Sequence, residues 1–351
     1  MRGMVFMGDC KVDLLEFDDP SPGPGEVIVE MKASGMCGTD LHYYRHGMAN
    51  SLDMLGLRDR MESELVIGGH EPCGVVAAVG SGVNPKSFRV GDRVIVFHYD
   101  GCRTCQQCRT GWTQLCDHGS RIFGVLSHGG HANYMTAPAT SLVRLPDEIS
   151  FVAGAAIACG TGTAYGALLR LGVTAQDTLA VFGLGPVGLS VAQLARAMGI
   201  EVFGVDINAD RVERAKSFGV THAIDGSKVD PIDEIRRLTG GKGANCAIDC
   251  AGVESSRLQA VQSTGVWGRV AMVAVGGKLS VDVMKDLIGK QRTLIGSFTL
   301  SETAMQDCAN FIARHKVQVD RLFTSQWRLE QASEAYADFN KQSSGKGVIV
   351  F

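Results

Sequence analysis

The stretch that decides the fold is Leu179-Ala-Val-Phe-Gly-Leu-Gly-Pro-Val-Gly188, where an apolar strand runs into a glycine turn and then into a helix. A second strand, 201–206, and a second helix, 210–218, follow directly. Repetition of strand, turn and helix is typical of a parallel sheet with helices on both faces. Later apolar runs at 245–249 and 269–275 fit further buried strands of the same sheet. The sequence therefore predicts a doubly wound α/β unit.

The glycine turn has the spacing of a dinucleotide-binding loop. Gly183 can make the tight turn, Gly185 lets the backbone approach a pyrophosphate, and Gly188 lets helix and strand pack closely. The helix that opens at Pro186 and Val187 presents N–H donors to the phosphates. Asp206 ends the next strand, where a carboxylate can accept hydrogen bonds from ribose hydroxyls, and this favours NAD over NADP. A purely structural glycine turn would leave this combination to chance.

The residues on either side of this unit have a different pattern of apolar residues, Gly and Pro. Residues 1–148 alternate short β-rich runs, such as 26–32, 74–79 and 92–97, with Gly and Pro, which predicts an antiparallel, barrel-like β domain. Past residue 296 the strand–helix rhythm stops, and a helix at 302–317 precedes a closing strand at 347–351. We therefore expect one domain from residues 1–148 and 296–351, with the doubly wound domain, 149–295, inserted into it.

Length and charge narrow the class of protein. A chain of 351 residues is too long for one ordinary core. Its 34 Lys and Arg against 37 Asp and Glu leave a net charge of −3. This balance does not indicate a basic surface for nucleic acid or an anionic membrane. We find no secretory signal and no stretch of 18 uninterrupted apolar residues, so the expectation is a soluble cytoplasmic protein.

The 11 cysteines favour metal binding over disulfides, because their number is odd and no export signal is present. Four of them, Cys102, Cys105, Cys108 and Cys116, fall in one polar, glycine-rich loop. Four thiolates in a closed tetrahedron make a structural zinc site; the alternative is four unrelated buried thiols. Five others are expected to be inert buried thiols: Cys10, Cys73, Cys246, Cys250 and Cys308.

A second candidate metal site is dispersed along the chain. Cys37 lies in Gly35-Met-Cys-Gly-Thr-Asp-Leu-His42, His70 in Gly68-Gly-His-Glu-Pro72, and Cys159 in Ala158-Cys-Gly-Thr-Gly-Thr163. Two thiolates and one imidazole with an open fourth position would hold a zinc ion that activates an alcohol. Taken one at a time, each of these residues is better explained by a structural role in the core.

Together these motifs resemble the zinc-containing medium-chain dehydrogenases. The order of the Cys37 motif, the Gly-His70-Glu71 box, Gly91-Asp-Arg-Val94, the four-cysteine loop and the glycine turn is similar to the alcohol, sorbitol and threonine dehydrogenase branches, from about residue 24 to the last strand. The resemblance implies a GroES-like β-barrel domain with an inserted Rossmann domain. It also implies two zinc ions per chain, hydride transfer between NAD(H) and an alcohol, polyol or matching carbonyl compound, and a homodimer or homotetramer.

The resemblance assigns roles to individual residues. Cys37, His70 and Cys159 match catalytic zinc ligands, and Glu71 matches a residue that ligates zinc in the sorbitol branch. Asp40 matches a carboxylate that orients His70. Thr39 matches the hydroxyl that takes the substrate proton, and His42 the imidazole that passes it to solvent. Three residues match cofactor contacts: Thr163 at the nicotinamide, Arg211 at the adenosine ribose and Lys346 at the pyrophosphate.

The chain also departs from the family. Gly38 stands where some alcohol dehydrogenases have an arginine on the pyrophosphate. The segment 46–65 is longer than usual; it is either a surface helix with an apolar stripe or a lid or wall of the substrate site. Two rival functions remain at this point: a zinc-free quinone or enoyl reductase, which gives Cys37 and His70 no purpose, and a non-catalytic nucleotide-binding relative, which should have lost a ligand or Thr39.

Overall fold

A computed structural model describes residues 1–342 and 345–351. Within them the strands are β1 (Arg2–Gly8), β2 (Lys11–Glu16), β3 (Glu26–Gly35), β4 (Pro72–Val79), β5 (Arg93–Val96), β6 (Tyr99–Asp100), β7 (Arg121–Ile122), β8 (Tyr134–Pro138), β9 (Leu142–Arg144), β10 (Thr178–Phe182), β11 (Glu201–Asp206), β12 (His222–Asp225), β13 (Ala244–Asp249), β14 (Thr264–Met272), β15 (Thr293–Gly296), β16 (Phe323–Arg328) and β17 (Lys346–Val350).

The α-helices of the same residues are α1 (Asp40–His46), α2 (Met48–Asp53), α3 (Gln106–Arg109), α4 (Phe151–Ala156), α5 (Gly162–Leu171), α6 (Pro186–Ala197), α7 (Ala209–Lys216), α8 (Pro231–Leu238), α9 (Glu254–Ser263), α10 (Glu302–His315) and α11 (Ala332–Phe339). Short 3₁₀ turns lie at Arg58–Arg60, Thr113–Leu115, Ala139–Ser141, Ile288–Lys290, Val319–Leu322 and Leu329–Gln331. Single π-helical turns lie at Ile157–Thr161 and Val283–Leu287.

The chain forms two compact units. Unit 1 contains residues 1–159, 301–314 and 320–351, and unit 2 contains residues 160–300 and 315–319. The predicted domain limits, 148/149 and 295/296, stay a prediction. Each unit has its own apolar core, in unit 1 around Val29 and Tyr336 and in unit 2 around Phe182 and Val205.

Unit 2 is built on a six-stranded parallel sheet. Its strand order is β12-β11-β10-β13-β14-β15, so the order reverses beside β10, as in a Rossmann sheet. The glycine turn leaves the carboxyl end of β10, the edge at which such sheets bind ligands. The last predicted strand was misplaced: residues 269–275 were expected, but β14 runs from Thr264 to Met272.

Unit 1 is built on a seven-stranded sheet with the order β16-β17-β3-β4-β5-β9, and β8 also pairs with β3. The pairs are antiparallel except β16 with β17. The long strand β3 is central, because it pairs with three other strands. The expected return of the C-terminal part of the chain is present, since β17 pairs directly with β3.

The segment 46–65 folds as α2, a turn and the 3₁₀ turn Arg58–Arg60. Met48 and Leu52 are buried in the core of unit 1, whereas Met54 is 72% exposed and Leu55 65%. Its apolar residues therefore do not form one continuous stripe. Both hypotheses for this segment, surface helix and substrate wall, stay predictions.

One helical run is long and apolar enough to cross a membrane by length and composition. It is Phe151–Leu171, and 78% of its apolar window is buried inside the structure, as in the core helix of a folded domain. The buried-thiol prediction was wrong for Cys10, which is exposed in the turn between β1 and β2. Cys73, Cys246 and Cys308 are buried.

Candidate active site

Two paired strands of unit 1, β3 and β4, bring the first two dispersed motifs together. Ser34 of β3 pairs with Pro72 of β4, so Cys37, just after β3, lies beside His70 and Glu71, just before β4. The backbone N–H of Gly35 donates to the carbonyl of Glu71 over 3.1 Å. Antiparallel pairing makes this proximity a direct result of register, because the end of one strand meets the start of the next.

Cys159 completes the group from the π-helical turn that follows α4. One possible ligand atom from each of Cys37, His70, Glu71 and Cys159 lies within 4.8 Å of the others. Two thiols, an imidazole and a carboxylate are a donor set that Zn²⁺ accepts. One further observation fits a cation: Oε2 of Glu71 is buried and has no hydrogen-bond partner among the described residues.

Gly35 makes room for the carboxylate of Glu71. A Cβ on Gly35 would lie 2.0 Å from Oε2 of Glu71, well inside any allowed contact. No side chain fits at position 35 unless Glu71 moves, so the close approach of β3 to Glu71 requires glycine there.

Asp40 binds two members of the cluster through one buried carboxylate. Its Oδ1 lies 3.0 Å from Nδ1 of His70, and its Oδ2 accepts the backbone N–H of Cys37 at 2.8 Å. Because a carboxylate only accepts, this contact favours a proton on Nδ1 of His70, and in the neutral imidazole Nε2 then keeps its lone pair. That is the tautomer a metal ligand needs.

Lys346 lies in the cluster. Its Nζ donates to Oε1 of Glu71 at 2.7 Å and to the carbonyl of Met36 at 2.9 Å, and the residue is 4% exposed. The resemblance had placed this ammonium on a pyrophosphate. In the structure it pairs with Glu71, because β17 begins beside the end of β3, and the contact with a pyrophosphate stays a prediction.

Burial and mutual contact shift the pKa values of the side chains in this cluster. A hydrogen bond from Cys159 holds the pKa of Cys37 well below its usual value, and the same bond raises the pKa of Cys159. Burial raises the pKa of Glu71 to about 7, although Lys346 opposes that rise. The two sulfurs share one proton, which a metal ion bound there would displace.

Thr39 and His42 lie at the exposed side of this cluster. Thr39 precedes α1, and its Oγ1 is 3.9 Å from Sγ of Cys37. His42 lies three residues further along, so it is on the same side of the helix. Both side chains are exposed and can exchange protons with solvent.

The four-cysteine loop forms a separate cluster in unit 1. Ligand atoms of Cys102, Cys105, Cys108 and Cys116 lie within 4.8 Å of one another, and all four thiols are free. The sulfurs of Cys102 and Cys108 are 4.0 Å apart, as are those of Cys105 and Cys116. This separation is too long for a disulfide. It is close to the ~3.8 Å between sulfurs of a zinc tetrahedron with Zn–S of about 2.3 Å.

The glycine turn of unit 2 has the geometry its spacing predicted. Gly183 has φ of 90°, and a Cβ on Gly188 would lie 1.9 Å from the carbonyl oxygen of Gly183. A Cβ on Gly185 would contact nothing within 4 Å, so this backbone is open toward a ligand. Pro186 and Val187 begin α6; Pro186 has no N–H, so the backbone donors at this end of the helix start with Val187.

Asp206 is almost buried at the end of β11. Its Oδ2 accepts the N–H of Leu184 at 2.8 Å, and its Oδ1 accepts the N–H of Asn208 at 3.0 Å. A guanidinium nitrogen of Arg211 lies 3.8 Å from Oδ2, with the Arg211 side chain 42% exposed. Asp206 and Arg211 are therefore brought together next to the glycine turn. Thr163 is buried in α5, also in unit 2.

Three residues near the metal cluster were missed by sequence reasoning. His98 is 3% exposed, and its ring centroid lies 5.3 Å from that of His70. Burial lowers its pKa to about 3. Tyr336 donates to Oδ2 of Asp40 at 3.2 Å, and Nε2 of His131 lies 2.7 Å from the Tyr336 hydroxyl. No motif marks these residues, because they reach the cluster from distant parts of the chain.

Comparison with known proteins adds to this geometry. Residues 23–147 match the alcohol dehydrogenase GroES-like domain family, and residues 186–314 match the zinc-binding dehydrogenase family. An uncharacterised zinc-type alcohol dehydrogenase-like protein of Escherichia coli, YphC, is 40% identical over 100% of this chain and 99% of its own length. An alcohol dehydrogenase of Geobacillus stearothermophilus is 34% identical over 94% of this chain and 92% of its own.

Among solved structures, the 2R,3R-butanediol dehydrogenase of Bacillus subtilis superposes with a TM-score of 0.87 at 27% identity, covering 100% of this chain and 99% of that one. The predicted fold class, a GroES-like domain with a Rossmann-like parallel sheet, is confirmed. The chain belongs to the family of zinc-containing medium-chain dehydrogenases.

Proposed function

We propose that this protein is a zinc-dependent dehydrogenase that transfers a hydride between an alcohol or polyol, or the matching carbonyl compound, and NAD(H). The observation that carries the proposal is the meeting of Cys37, His70, Glu71 and Cys159 within 4.8 Å. The glycine turn beside Asp206, in unit 2, supplies the second requirement, a site for the nucleotide.

The metal would be held by Cys37, His70 and Cys159, with Glu71 as the fourth candidate donor. A zinc ion there supplies positive charge that favours the ionised form of a substrate hydroxyl. Asp40 holds His70 in the required tautomer, and Lys346 balances the charge of Glu71. The cysteines of the second cluster would hold a structural ion, because four thiolates leave no open position for a substrate.

Proton transfer would use the exposed side of the cluster. The Thr39 hydroxyl, 3.9 Å from the Cys37 sulfur, accepts the proton from the substrate hydroxyl and donates its own onward. His42 passes that proton to solvent, since its imidazole is exposed. In the reverse direction the same two groups deliver a proton to the carbonyl oxygen.

Nucleotide binding would use the open backbone at Gly185 and the first turn of α6 for the pyrophosphate. Bound NAD supplies the hydride acceptor. Asp206 would accept hydrogen bonds from the ribose hydroxyls, with Arg211 beside it and Thr163 near the nicotinamide. The missing side chain at Gly38 means that cations elsewhere must meet the phosphate charge.

Assembly as a homodimer or homotetramer is part of the proposal. The edge strand of the parallel sheet is β15, and apolar side chains near it are exposed, including Trp267 at 70% and Met284 at 66%. Exposed apolar surface next to a sheet edge favours association. We propose no nucleic-acid or membrane partner.

The test is a substrate panel. Pure protein is assayed with primary alcohols, secondary alcohols, diols, sugar alcohols and amino alcohols, each with NAD and with NADP, before and after treatment with a zinc chelator. We expect NAD-linked oxidation that is lost on chelation and restored by zinc. Turnover that survives complete removal of zinc would favour a zinc-free reductase. Metal and NAD binding with no turnover of any substrate would favour a non-catalytic relative.

A further inference from the structure

A chain of buried hydrogen bonds extends the metal cluster beyond Asp40. The Asp40 carboxylate is 0% exposed, so each of its hydrogen bonds must come from the protein. Oδ1 faces His70, and Oδ2 accepts two donors, the Cys37 N–H at 2.8 Å and the Tyr336 hydroxyl at 3.2 Å. Among these donors, Tyr336 alone comes from a part of the chain that holds no proposed ligand.

The direction of this chain follows from what each group can do. Tyrosine has one hydroxyl proton, and a carboxylate can only accept, so the proton of Tyr336 lies toward Asp40. The Tyr336 oxygen must then act as acceptor for His131, whose Nε2 is 2.7 Å away. The pair therefore fixes His131 as the tautomer with its proton on Nε2.

Both members of the pair are held rigidly. Tyr336 is 0% exposed in α11, and its ring packs edge-on against Phe6 at 5.0 Å between centroids. The backbone N–H of His131 donates to Gly68 at 2.9 Å, and its carbonyl accepts from Met4 at 2.8 Å.

The ring of His131 also depends on a glycine. A Cβ on Gly69 would lie 2.5 Å from Nδ1 of His131, so the imidazole occupies space that only glycine leaves free. Gly69 directly precedes the proposed ligand His70. The loop that presents His70 is thus shaped around the partner of Tyr336.

We infer that Tyr336, oriented by His131, is a positioning residue for the catalytic metal. Its hydroxyl completes the hydrogen bonding of Asp40, and that one carboxylate sets the orientation of two ligands, Cys37 and His70. The inference rests on the proposed function, because it requires a metal in that cluster. This role differs from packing, because the effect on the metal comes from the hydroxyl oxygen of Tyr336 and not from its ring.

The experiment compares zinc release from full-length wild type, Tyr336→Phe and Tyr44→Phe. Tyr44 is the matched control: it is buried in the same apolar cluster, with its ring 5.7 Å from that of Tyr336, and it loses the same atom. Zinc per chain is followed during challenge with a chelator. Loading with Co²⁺ assigns each loss, because a site with an imidazole ligand and a four-thiolate site have different absorption spectra.

Loss of a direct partner of a ligand weakens metal binding by about 10- to 100-fold; because Tyr336 acts through Asp40, we expect Tyr336→Phe to weaken the Cys37–His70 site by up to about 10-fold. The four-cysteine site and Tyr44→Phe should match wild type. Equal release from Tyr336→Phe and wild type would overturn the inference, and so would equal losses in both tyrosine variants.

A further variant, His131→Phe, keeps the test decisive if Tyr336→Phe does not fold. It should weaken the same site by a smaller factor, because the Tyr336 hydroxyl then loses the donor that orients it. Wild-type metal retention in His131→Phe would in that case overturn the inference. If wild type itself holds no metal between Cys37 and His70, the proposed function fails first, and this outcome is distinct from the others.

Discussion

The ammonium of Lys346 lies 2.7 Å from Oε1 of Glu71, with the two side chains 4% and 0% exposed. The residues are 275 positions apart in sequence and join β17 to the residue before β4. An ion pair this deeply buried is not a large net source of stability, because both charges lose their hydration. Removal of one partner, however, leaves the other charge buried without compensation.

Lys346→Met should therefore destabilise the zinc-loaded protein by about 3–5 kcal/mol, measured by urea unfolding. The control is Lys341→Met. Lys341 pairs with Asp338 at 3.3 Å, but the Lys341 side chain is 68% exposed, so its loss should cost less than about 1 kcal/mol. Equal small effects of the two substitutions would show that Glu71 is protonated or finds another counter-charge, such as the zinc ion.

The two metal clusters should respond differently to loss of one thiol. Cys105→Ser should lower the unfolding temperature and remove one zinc per chain, because the binding energy of a structural site is folding energy. Cys159→Ser should stay folded, with near-zero turnover. Metal analysis of active wild type should give two zinc ions per chain, and a value of one or none would contradict the assignment.

Thr39 should be tested against its conservative replacement. Thr39→Ala removes the hydroxyl proposed to take the substrate proton, and general acid–base groups typically contribute 10²–10⁴-fold, so kcat should fall by about that range while NAD still binds. Thr39→Ser keeps the hydroxyl and should retain most of the activity. His42→Ala should lose less, mainly at low pH, since solvent can replace it. Wild-type turnover in Thr39→Ala would remove Thr39 from the mechanism.

The choice of cofactor should depend on Asp206. A 2′-phosphate would meet this carboxylate, and like charges in contact cost several kcal/mol, so wild type should prefer NAD by kcat/KM. Asp206→Ser should shift the preference toward NADP, because it removes the like charge and Arg211 lies beside this position. The double variant with Arg211→Ala should lose that gain. A wild-type preference for NADP would refute the assignment.

Stability below neutral pH should depend on His131. Burial lowers the pKa of His131 to about 4, against about 6.5 in an unfolded chain. As pH falls below 6.5 the unfolded state takes up a proton that the folded state does not, so stability decreases toward pH 4. Between pH 7 and 5 this contribution is about 2 kcal/mol, and His131→Phe should remove it. Unfolding curves at each pH, with zinc content checked, measure the difference; an unchanged slope would show that His131 takes up its proton as readily in the folded protein as in the unfolded chain.

Much of this structure could be predicted from local sequence. The glycine turn, β10 and β11 follow from apolar periodicity and glycine spacing over a few tens of residues. The four-cysteine cluster was also local. The expected dispersed cluster, Cys37, His70 and Cys159, could be assembled only by resemblance, because no periodicity shows that the end of β3 meets the start of β4.

Other features could not be read from sequence at all. The contact of Lys346 with Glu71 is one example, since a lone lysine before a final strand gives no sign of its partner, and the pairing of β17 with β3 sets that contact. The hydrogen bond from Tyr336 to Asp40 could not be predicted either, because it spans 296 positions and depends on how α11 packs. Contacts between distant segments with no shared motif lie outside what spacing can reveal.

The pairing of β17 with β3 also has a consequence for how the protein is made. Synthesis from the N-terminus releases Glu71 from the ribosome long before Lys346, which follows 275 residues later. Until then the nascent first segment carries a cluster of thiols and a carboxylate without its buried cation and without the strand that covers the edge of β3. Sheet edges and apolar surface left open during elongation are sites of misassembly. Because β17 is synthesised last, its pairing with β3 is the folding step that completes the metal cluster.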